Sequence, residues 1–337
     1  AGAWSSPDSG WVFGRSPKLF ASFSWRYLHG LRPVGLFIPT GCAHMAEWMP
    51  DQLVGQFNLD GVDPRKARLR HSETISQTAF STTGEIVYPD AAGKPTISRR
   101  VSCTALTDEE IAIVIEHTTA LTPIEVRRSS EVNLALANDI FNGSARKIAG
   151  QGKEIVLAGA KNLGTVEAAD EKANAPSMTL VTVRSPWLCV DDRLGIALLD
   201  GSKEFTINDC SGRNAPWGSL QYEVICADER GTRKLKAGEL IIDSAFVLVA
   251  GDRKTTARIQ RTGSWGSTAE QPAVRYVTVT APSGKRYLIV ANLDGTARMV
   301  RIPGYPGLRF EFDGFGTQVR ELNPGRRARS VQMGDLP

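Results

Sequence analysis

The chain has 337 residues, of which 42% are hydrophobic and 23% charged, a composition typical of folded globular proteins rather than disordered, collagen-like or coiled-coil chains. Forty Lys and Arg residues against 36 Asp and Glu residues give a net charge of +4, which is too small to indicate a nucleic-acid-binding protein. We therefore expect no nucleic-acid partner. No stretch approaches the ~20 consecutive apolar residues of a membrane-spanning helix, so we expect no membrane span either.

Strand patterns recur along most of the sequence, and 32 glycines and 18 prolines indicate frequent turns between short elements. β-Branched and alternating apolar residues predict strands at 99–106, 111–117, 131–136, 178–183, 220–226, 241–249, 276–280 and 286–292. Helical patterns are short and few, at 43–49 and 163–173. We therefore predict an all-β protein with at least ten strands and less than about a tenth of its residues in helix.

A composition shift near residue 260 indicates a domain boundary. The strands before it are too many for one immunoglobulin-like unit of ~100 residues and fit a large two-sheet sandwich. Residues 260–268, QRTGSWGST, are polar and rich in Gly and Ser, and they separate two blocks of strands. We predict a large sandwich over 1–262 and a small C-terminal β-sandwich with a polar tail over 263–337.

The five cysteines lie in no CxxC pair, and the chain has too few His and Cys neighbours for a zinc module. We interpret most of them as buried small apolar residues rather than as a disulfide framework. They are Cys42, Cys103, Cys189, Cys210 and Cys226.

Four segments, in this order and spacing, carry a resemblance to a known family. They are SFSWRYLHG at 22–30 with GLFIP at 35–39, ANDIFNG at 137–143, LKAGE at 235–239 leading into DSAFVLVAG at 243–251, and LIVANLDG at 288–295 with MVRI at 299–302. Together they resemble the β-portion of heparinase- and chondroitinase-type polysaccharide lyases. In that family a helical toroid precedes a supersandwich similar to galactose mutarotase and a small C-terminal sandwich.

The resemblance implies a supersandwich over 1–262 and a function in cleaving uronic-acid glycans by β-elimination. It implies an acidic polysaccharide or oligosaccharide as partner, no cofactor, and a secreted or periplasmic location. This sequence has no room for the helical toroid, so the resemblance implies the β-domain part of a lyase, working with a helical catalytic domain or chain. A non-catalytic carbohydrate-binding or assembly module of mutarotase-like fold is the alternative, and an epimerase- or mutarotase-like enzyme is a third interpretation.

Elimination beside a uronic acid needs a positive group that neutralises the carboxylate, a base and an acid, and Tyr or His can act as either of the last two. A strand over 23–29 places Trp25, Tyr27 and His29 on one face and Arg26 on the other, and Arg32 follows the turn. We predict Tyr27 and His29 as catalytic residues and Trp25, Arg26 and Arg32 as substrate-binding residues. An aromatic strand face buried in the core is the alternative.

A second cluster follows at 42–51. A helical turn there places His44, Glu47 and Trp48 on one face. We predict His44 as a third catalytic residue, with Glu47 and Trp48 binding substrate, against the alternative of a His–Glu surface pair. Two of the four histidines and four of the seven tryptophans lie in the first fifty residues, as expected for an aromatic sugar site.

The remaining candidates have simpler interpretations. His71 lies in a polar run, which we interpret as a solvated strand face. His117 shares the apolar face of its strand, so we interpret it as a core or edge histidine with a satisfied hydrogen bond. The oxygen donors of Asn138, Asp139 and Asn142 could bind Ca²⁺, although Asx-rich turns also form for backbone reasons alone.

Overall fold

The computed structural model describes residues 2–6, 10–17, 19–27, 30–39, 56–58, 60–137, 145–157, 178–209, 221–227, 231–322 and 329–330. These residues form 27 strands and one α-helix. In chain order, strands β1–β13 are Gly2–Ser6, Trp11–Arg15, Leu19–Tyr27, Gly30–Pro39, Gln56–Phe57, Arg68–Ile75, Ala79–Pro89, Pro95–Leu106, Ile111–Ala120, Ile124–Val126, Ser129–Ala137, Arg146–Gly150 and Lys153–Leu157.

The second half of the chain continues in strands. Strands β14–β20 are Met178–Ser185, Trp187–Val190, Leu194–Leu198, Lys203–Asp209, Gln221–Ala227, Arg233–Leu235 and Leu240–Ala250. Helix α1 is Arg253–Thr262. Strands β21–β27 are Ser264–Ser267, Val274–Thr280, Arg286–Asn292, Arg298–Ile302, Tyr305–Phe312, Gly316–Leu322 and Arg329–Ser330.

A sheet of nine strands, the central sheet, lies in the middle of the described structure. Its order is β13-β12-β15-β16-β20-β9-β8-β7-β6, and every neighbouring pair is antiparallel. Side chains that alternate along its strands go to two opposite faces. Both faces are covered by other sheets, which is why β9, from Ile111 to Glu116, is buried along its length.

The inner face of the central sheet packs against two further sheets. The N-terminal sheet has the order β1-β2-β3-β4, and the middle sheet has the order β14-β17-β18-β11-β5. Apolar side chains from all three sheets form one hydrophobic core, with Phe23 from the N-terminal sheet, Phe205 from the middle sheet, and Phe80 and Phe246 from the central sheet. The result is a large two-layer sandwich.

The outer face of the central sheet packs against the C-terminal sheet, β21-β22-β23-β26-β27, and against α1. Ile113 and Val247 of the central sheet meet Val277 and Ile289 of the C-terminal sheet in a second core. The hairpin β24–β25 covers the other face of the C-terminal sheet, around Phe310. The all-β sandwich fold predicted from the sequence is confirmed.

Helix α1 occupies part of the segment that sequence analysis assigned to a polar linker. Asp252 caps its N-terminus by accepting a hydrogen bond from the Thr255 amide at 2.8 Å. Ile259 is buried in the second core, so the single apolar contact of this short, polar helix comes from tertiary packing. The strands after Gly263 that the structure describes pair only with one another. The domain boundary at 262/263 stays a prediction.

All eight strands predicted from alternation and β-propensity are present, with boundaries shifted by a few residues. The two predicted helices, 43–49 and 163–173, lie outside the described residues. Cys103, Cys189 and Cys226 are buried, as interpreted from the sequence, whereas Cys42 and Cys210 lie outside the described residues.

Gly195 allows α1 to pack closely on β16, and we expect its replacement to weaken the fold. A Cβ at this position would lie 2.0 Å from Thr256 Oγ1 and 2.6 Å from Val249 Cγ1. Because both neighbours are held in packed elements, Gly195→Ala should lower the free energy of unfolding by ~1–3 kcal/mol in urea denaturation. Gly307→Ala, where no atom lies within 4 Å of the added Cβ, is the matched control. Equal stabilities of the two variants would contradict this packing.

Candidate functional site

Strand β3 ends above the edge of the central sheet, and Trp25 fixes it there. The Trp25 side chain is 0% exposed, and its Nε1 donates a hydrogen bond to Thr82 Oγ1 at 2.8 Å. Its ring meets Phe23 edge-on, with the centroids 5.0 Å apart. Leu19, Ala21, Phe23 and Trp25 alternate onto the inner face and belong to the core. The prediction of Trp25 as a sugar-stacking residue is therefore wrong, because its ring is enclosed by the sandwich.

His71 lies beside Trp25 on edge strand β6. The two ring centroids are 5.9 Å apart. Gly84 pairs with His71 across β6 and β7, and a Cβ at Gly84 would lie 2.6 Å from the His71 Cβ and 2.4 Å from the Arg70 carbonyl oxygen. Glycine at this position therefore allows β6 and β7 to approach closely at His71, whose ring lies beside that of Trp25.

Glu73 follows His71 at the i+2 position and shares its face of β6. Its Oε1 lies 3.2 Å from His71 Nε2. The two side chains are 22% and 12% exposed, so they are mostly buried but still reach solvent. Among the described residues no hydrogen-bond partner meets the second imidazole nitrogen, Nδ1. A carboxylate that orients one nitrogen while the other stays open is the arrangement that a proton-transfer histidine needs.

The interpretation of His71 as part of a solvated strand face is wrong, because its side chain is mostly buried beside Trp25. The run from Arg68 to Glu73 is polar, so it hides the alternation. Leu69 and Ile75 pack against the inner core, and His71 and Glu73 lie between them on the same face. Leu69 and Ile75, at positions i−2 and i+4 from His71, show in the sequence that His71 and Glu73 share the inward face of β6.

The other candidates of the N-terminal region are located as follows. Arg26 is exposed on the face of β3 opposite to Trp25. Tyr27 is the last residue of β3, paired with Gly30, and Arg32 lies in β4. The side chains of Tyr27 and Arg32 are outside the described structure. So are four whole residues with predicted roles, His29, His44, Glu47 and Trp48.

A row of charged side chains crosses the outer face of the central sheet. Cross-strand pairs place Arg70, Glu85, Arg100, His117 and Asp243 side by side on five adjacent strands. Arg70 and Arg100 both donate to the buried Glu85, at 2.5 and 3.0 Å. Burial alone would raise the pKa of Glu85, but the hydrogen bonds and the two positive charges outweigh burial and hold this pKa below its usual value.

The end of this row is joined to the C-terminal sheet. Arg275 on β22 is 5% exposed, and its Nη2 lies 3.1 Å from Asp243 Oδ1 and 2.8 Å from His117 Nδ1. His117 Nδ1 lies 3.0 Å from Asp243 Oδ1. The interpretation of His117 as a satisfied histidine is confirmed, and its partners give it a structural role between two sheets.

A cleft of about 620 Å³ lies on the outer side of β6, between this strand and the loop after β25. Arg70 lies 5.5 Å from the centre of the Phe315 ring, and Ser72 Oγ donates to the Phe315 carbonyl oxygen at 2.5 Å. These two polar side chains are thus engaged in joining the sheets. The candidate acid–base pair lies on the opposite, inner side of the same strand.

No group of three or more His, Cys, Asp or Glu side chains that could hold a metal ion occurs in the part of the chain that the structure describes. The residues predicted as a Ca²⁺ alternative, Asn138, Asp139 and Asn142, lie outside that part. None of the described helical structure is long and apolar enough to cross a membrane.

Comparisons with known proteins give matches only among solved structures. No protein-family model matches the sequence, and a search of curated proteins gives no match. A mutant of the heparan sulfate lyase HepC from Pedobacter heparinus matches 85% of this chain and 42% of its own, with 11% identity and a TM-score of 0.46. The GH36 α-galactosidase AgaB from Geobacillus stearothermophilus matches 77% of this chain and 42% of its own, with 10% identity and a TM-score of 0.41. An α-galactosidase from Lactobacillus brevis matches 74% and 40%, with 9% identity and a TM-score of 0.43. This chain thus spans about two fifths of the length of each of these proteins.

The Arg275–Asp243 contact makes a testable contribution to acid stability. Burial raises the pKa of Asp243, but the hydrogen bond with His117 and the positive charge of Arg275 outweigh burial and hold this pKa below its usual value. A lowered folded-state pKa stabilises the protein above the unfolded-state pKa of ~3.9, and this stabilisation is lost as the pH falls through the folded-state value.

We expect Asp243→Asn to lower the free energy of unfolding by ~1–3 kcal/mol at neutral pH. The difference between wild type and variant should shrink as the pH falls below about 4, as measured by denaturant titrations across the acid range. Asp108→Asn, at an exposed position on the turn before β9, is the control. A difference that stays constant with pH would show that the Asp243 charge does not hold the two sheets together.

Proposed function

We propose that this chain is the β-domain part of a polysaccharide lyase that cleaves uronic-acid glycans by β-elimination. The observation that carries the proposal is the His71–Glu73 pair, which lies under the end of β3 next to the strand that contains Arg26 and Tyr27. The four segments that resemble heparinase- and chondroitinase-type lyases support the same activity independently of this geometry.

The reaction requires three functions that the region supplies by residue type. A guanidinium of Arg32 pairs with the uronate carboxylate and makes the adjacent C5 proton easier to remove, whereas Arg26 lies on the opposite face of β3. A base takes this proton, the electron pair forms the C4–C5 double bond, and the C4–O bond breaks. An acid then gives a proton to the leaving glycosidic oxygen.

His71 is added here to the acid–base candidates predicted from the sequence. Glu73 at 3.2 Å orients the His71 ring, and Trp25 at 5.9 Å restricts its rotation. Tyr27 is two residues beyond Trp25 on the same strand, a spacing of about 7 Å along the backbone. We assign Tyr27, His29 and His44 as further proton-transfer groups, with Glu47 and Trp48 in contact with the sugar.

We also propose a helical partner, an acidic polysaccharide substrate and a secreted or periplasmic location. A helical catalytic domain or chain would cover the edge of the sandwich next to the end of β3. An acidic polysaccharide substrate is consistent with the net charge of +4 and with a secreted or periplasmic location.

The direct test is incubation of the chain with heparan, chondroitin, alginate and glucuronan-type polysaccharides, following the absorbance of the unsaturated uronate product. We expect His71→Ala, Tyr27→Phe, His29→Ala and His44→Ala each to lower kcat by ~10²–10⁴-fold, because each removes a proton-transfer group. Glu73→Gln should lower kcat less, since the imidazole remains while its orientation is weakened.

Thr74→Ala is the matched control, since Thr74 lies on β6 with its side chain on the opposite face. It should leave kcat unchanged. Formation of product at the wild-type rate in His71→Ala would exclude His71 from the reaction. Binding of these glycans without any product would instead support the non-catalytic carbohydrate-binding module.

A further inference from the structure

The N-terminal sheet presents aromatic rings on the face that points away from the core. Trp4, Trp11, Phe13 and Phe20 form this surface, the aromatic face, and they alternate with residues that pack inward such as Val12. Trp4 is 48% exposed, and the other three rings are half-buried. A continuous apolar strip of this kind on one sheet face is typical of a binding surface rather than of ordinary exposed surface.

The rings are in contact with one another across three strands. Trp4 stacks on Phe13 with the centroids 5.6 Å apart and the planes 17° from parallel. Phe13 also contacts Trp11 at 5.5 Å and Phe20 at 6.2 Å. These contacts hold the side chains in place before any ligand arrives, so little conformational entropy remains to be lost on binding.

Positive charge flanks the strip at both ends. Arg15 is exposed and pairs across the sheet with Phe20, and exposed Arg26 lies six residues farther along β3. This spacing corresponds to about 20 Å along the strand. No acidic residue occurs among the described outward positions of β1, β2 and β3, which are Gly2, Trp4, Ser6, Trp11, Phe13, Arg15, Phe20, Ser22, Ser24 and Arg26.

We propose that the aromatic face is a binding surface for an anionic oligosaccharide, separate from the acid–base pair on the inner side of the sandwich. The C–H faces of sugar rings pack on the exposed Trp4 ring, while Arg15 and Arg26 pair with carboxylate or sulfate groups along the chain. An apolar peptide would gain nothing from the two flanking arginines. The ligand class rests on the proposed function, whereas the location rests on the geometry of this sheet alone.

The test is calorimetric titration of the full chain with uronic-acid oligosaccharides prepared from chondroitin and alginate. A neutral glucan oligosaccharide shows whether binding requires the negative charge of the ligand. Inorganic polyphosphate shows whether negative charge alone, without a sugar ring, is sufficient for binding. We expect Trp4→Ala to weaken uronic-acid binding about tenfold, with partial recovery in Trp4→Phe. Arg15→Gln should weaken binding and flatten its dependence on salt concentration.

Met299→Ala and Arg301→Gln are the matched controls, because both residues are exposed on the outermost hairpin, β24–β25. Both should bind like wild type. Trp4→Ala should leave polyphosphate binding unchanged, and the neutral oligosaccharide should bind more weakly than the anionic ones. Wild-type affinity in both Trp4→Ala and Arg15→Gln, or no binding of uronic-acid oligosaccharides by the wild-type chain, would overturn the proposal.

The outcomes separate this surface from the proposed lyase. Glycan binding that depends on Trp4 but yields no unsaturated product would support the aromatic face as a binding surface and contradict the lyase function. Product formation with glycan binding that does not depend on Trp4 would support the lyase function and contradict the binding surface. If Trp4→Ala changes only the sedimentation behaviour of the protein, the aromatic face is a protein–protein interface and the proposal is wrong.

Discussion

The central sheet is covered on both faces, and the rest of the structure depends on this constraint. A sheet with two buried faces cannot leave charged side chains unpaired, because burying an isolated charge costs more free energy than apolar packing contributes. The inner face therefore pairs Arg99 with Glu116 at 2.9 Å. The outer face distributes its charges in the row from Arg70 to Asp243, and Arg275 completes that row from the neighbouring sheet.

The same constraint indicates where chemistry can occur. In the middle of the central sheet, the charged side chains of Glu85 and Glu116 are enclosed and paired with fixed arginines, which favours rigidity over reactivity. At the edge strand β6, the His71 side chain keeps some contact with solvent, and none of the described residues bonds its Nδ1. Gly84 allows β6 and β7 to approach closely here, because a Cβ at this position would overlap the Arg70 carbonyl oxygen and the His71 Cβ. The edge thus combines a restricted histidine with access for a ligand.

Much of the fold could be predicted from local sequence patterns. Alternation of apolar residues located strands of the central sheet, and the same rule placed His117 on the face of β9 that carries Ile111, Ile113 and Ile115. Pairings between distant segments could not be predicted. Nothing local in Arg275 indicates Asp243, and nothing in Ser72 indicates the loop at Phe315, because these contacts exist only after the sheets have packed.

The candidate site was predicted less well, for identifiable reasons. Trp25, Tyr27 and His29 were grouped by alternation, but alternation does not tell which face of a strand meets the core, and Trp25 proved to be enclosed. His71 was passed over because its neighbours Arg70 and Ser72 are polar. Their side chains point to the outer face, where Ser72 bonds the Phe315 carbonyl oxygen and the largely exposed Arg70 lies over the Phe315 ring.

The most direct test of this account is NMR of the protein with isotope-labelled histidines, titrated with a uronic-acid oligosaccharide. His117 provides an internal reference because Arg275 and Asp243 hold it between two sheets. The account predicts saturable shifts of the His71 ring resonances while those of His117 stay constant. Unchanged His71 resonances at ligand concentrations that saturate the protein would contradict it.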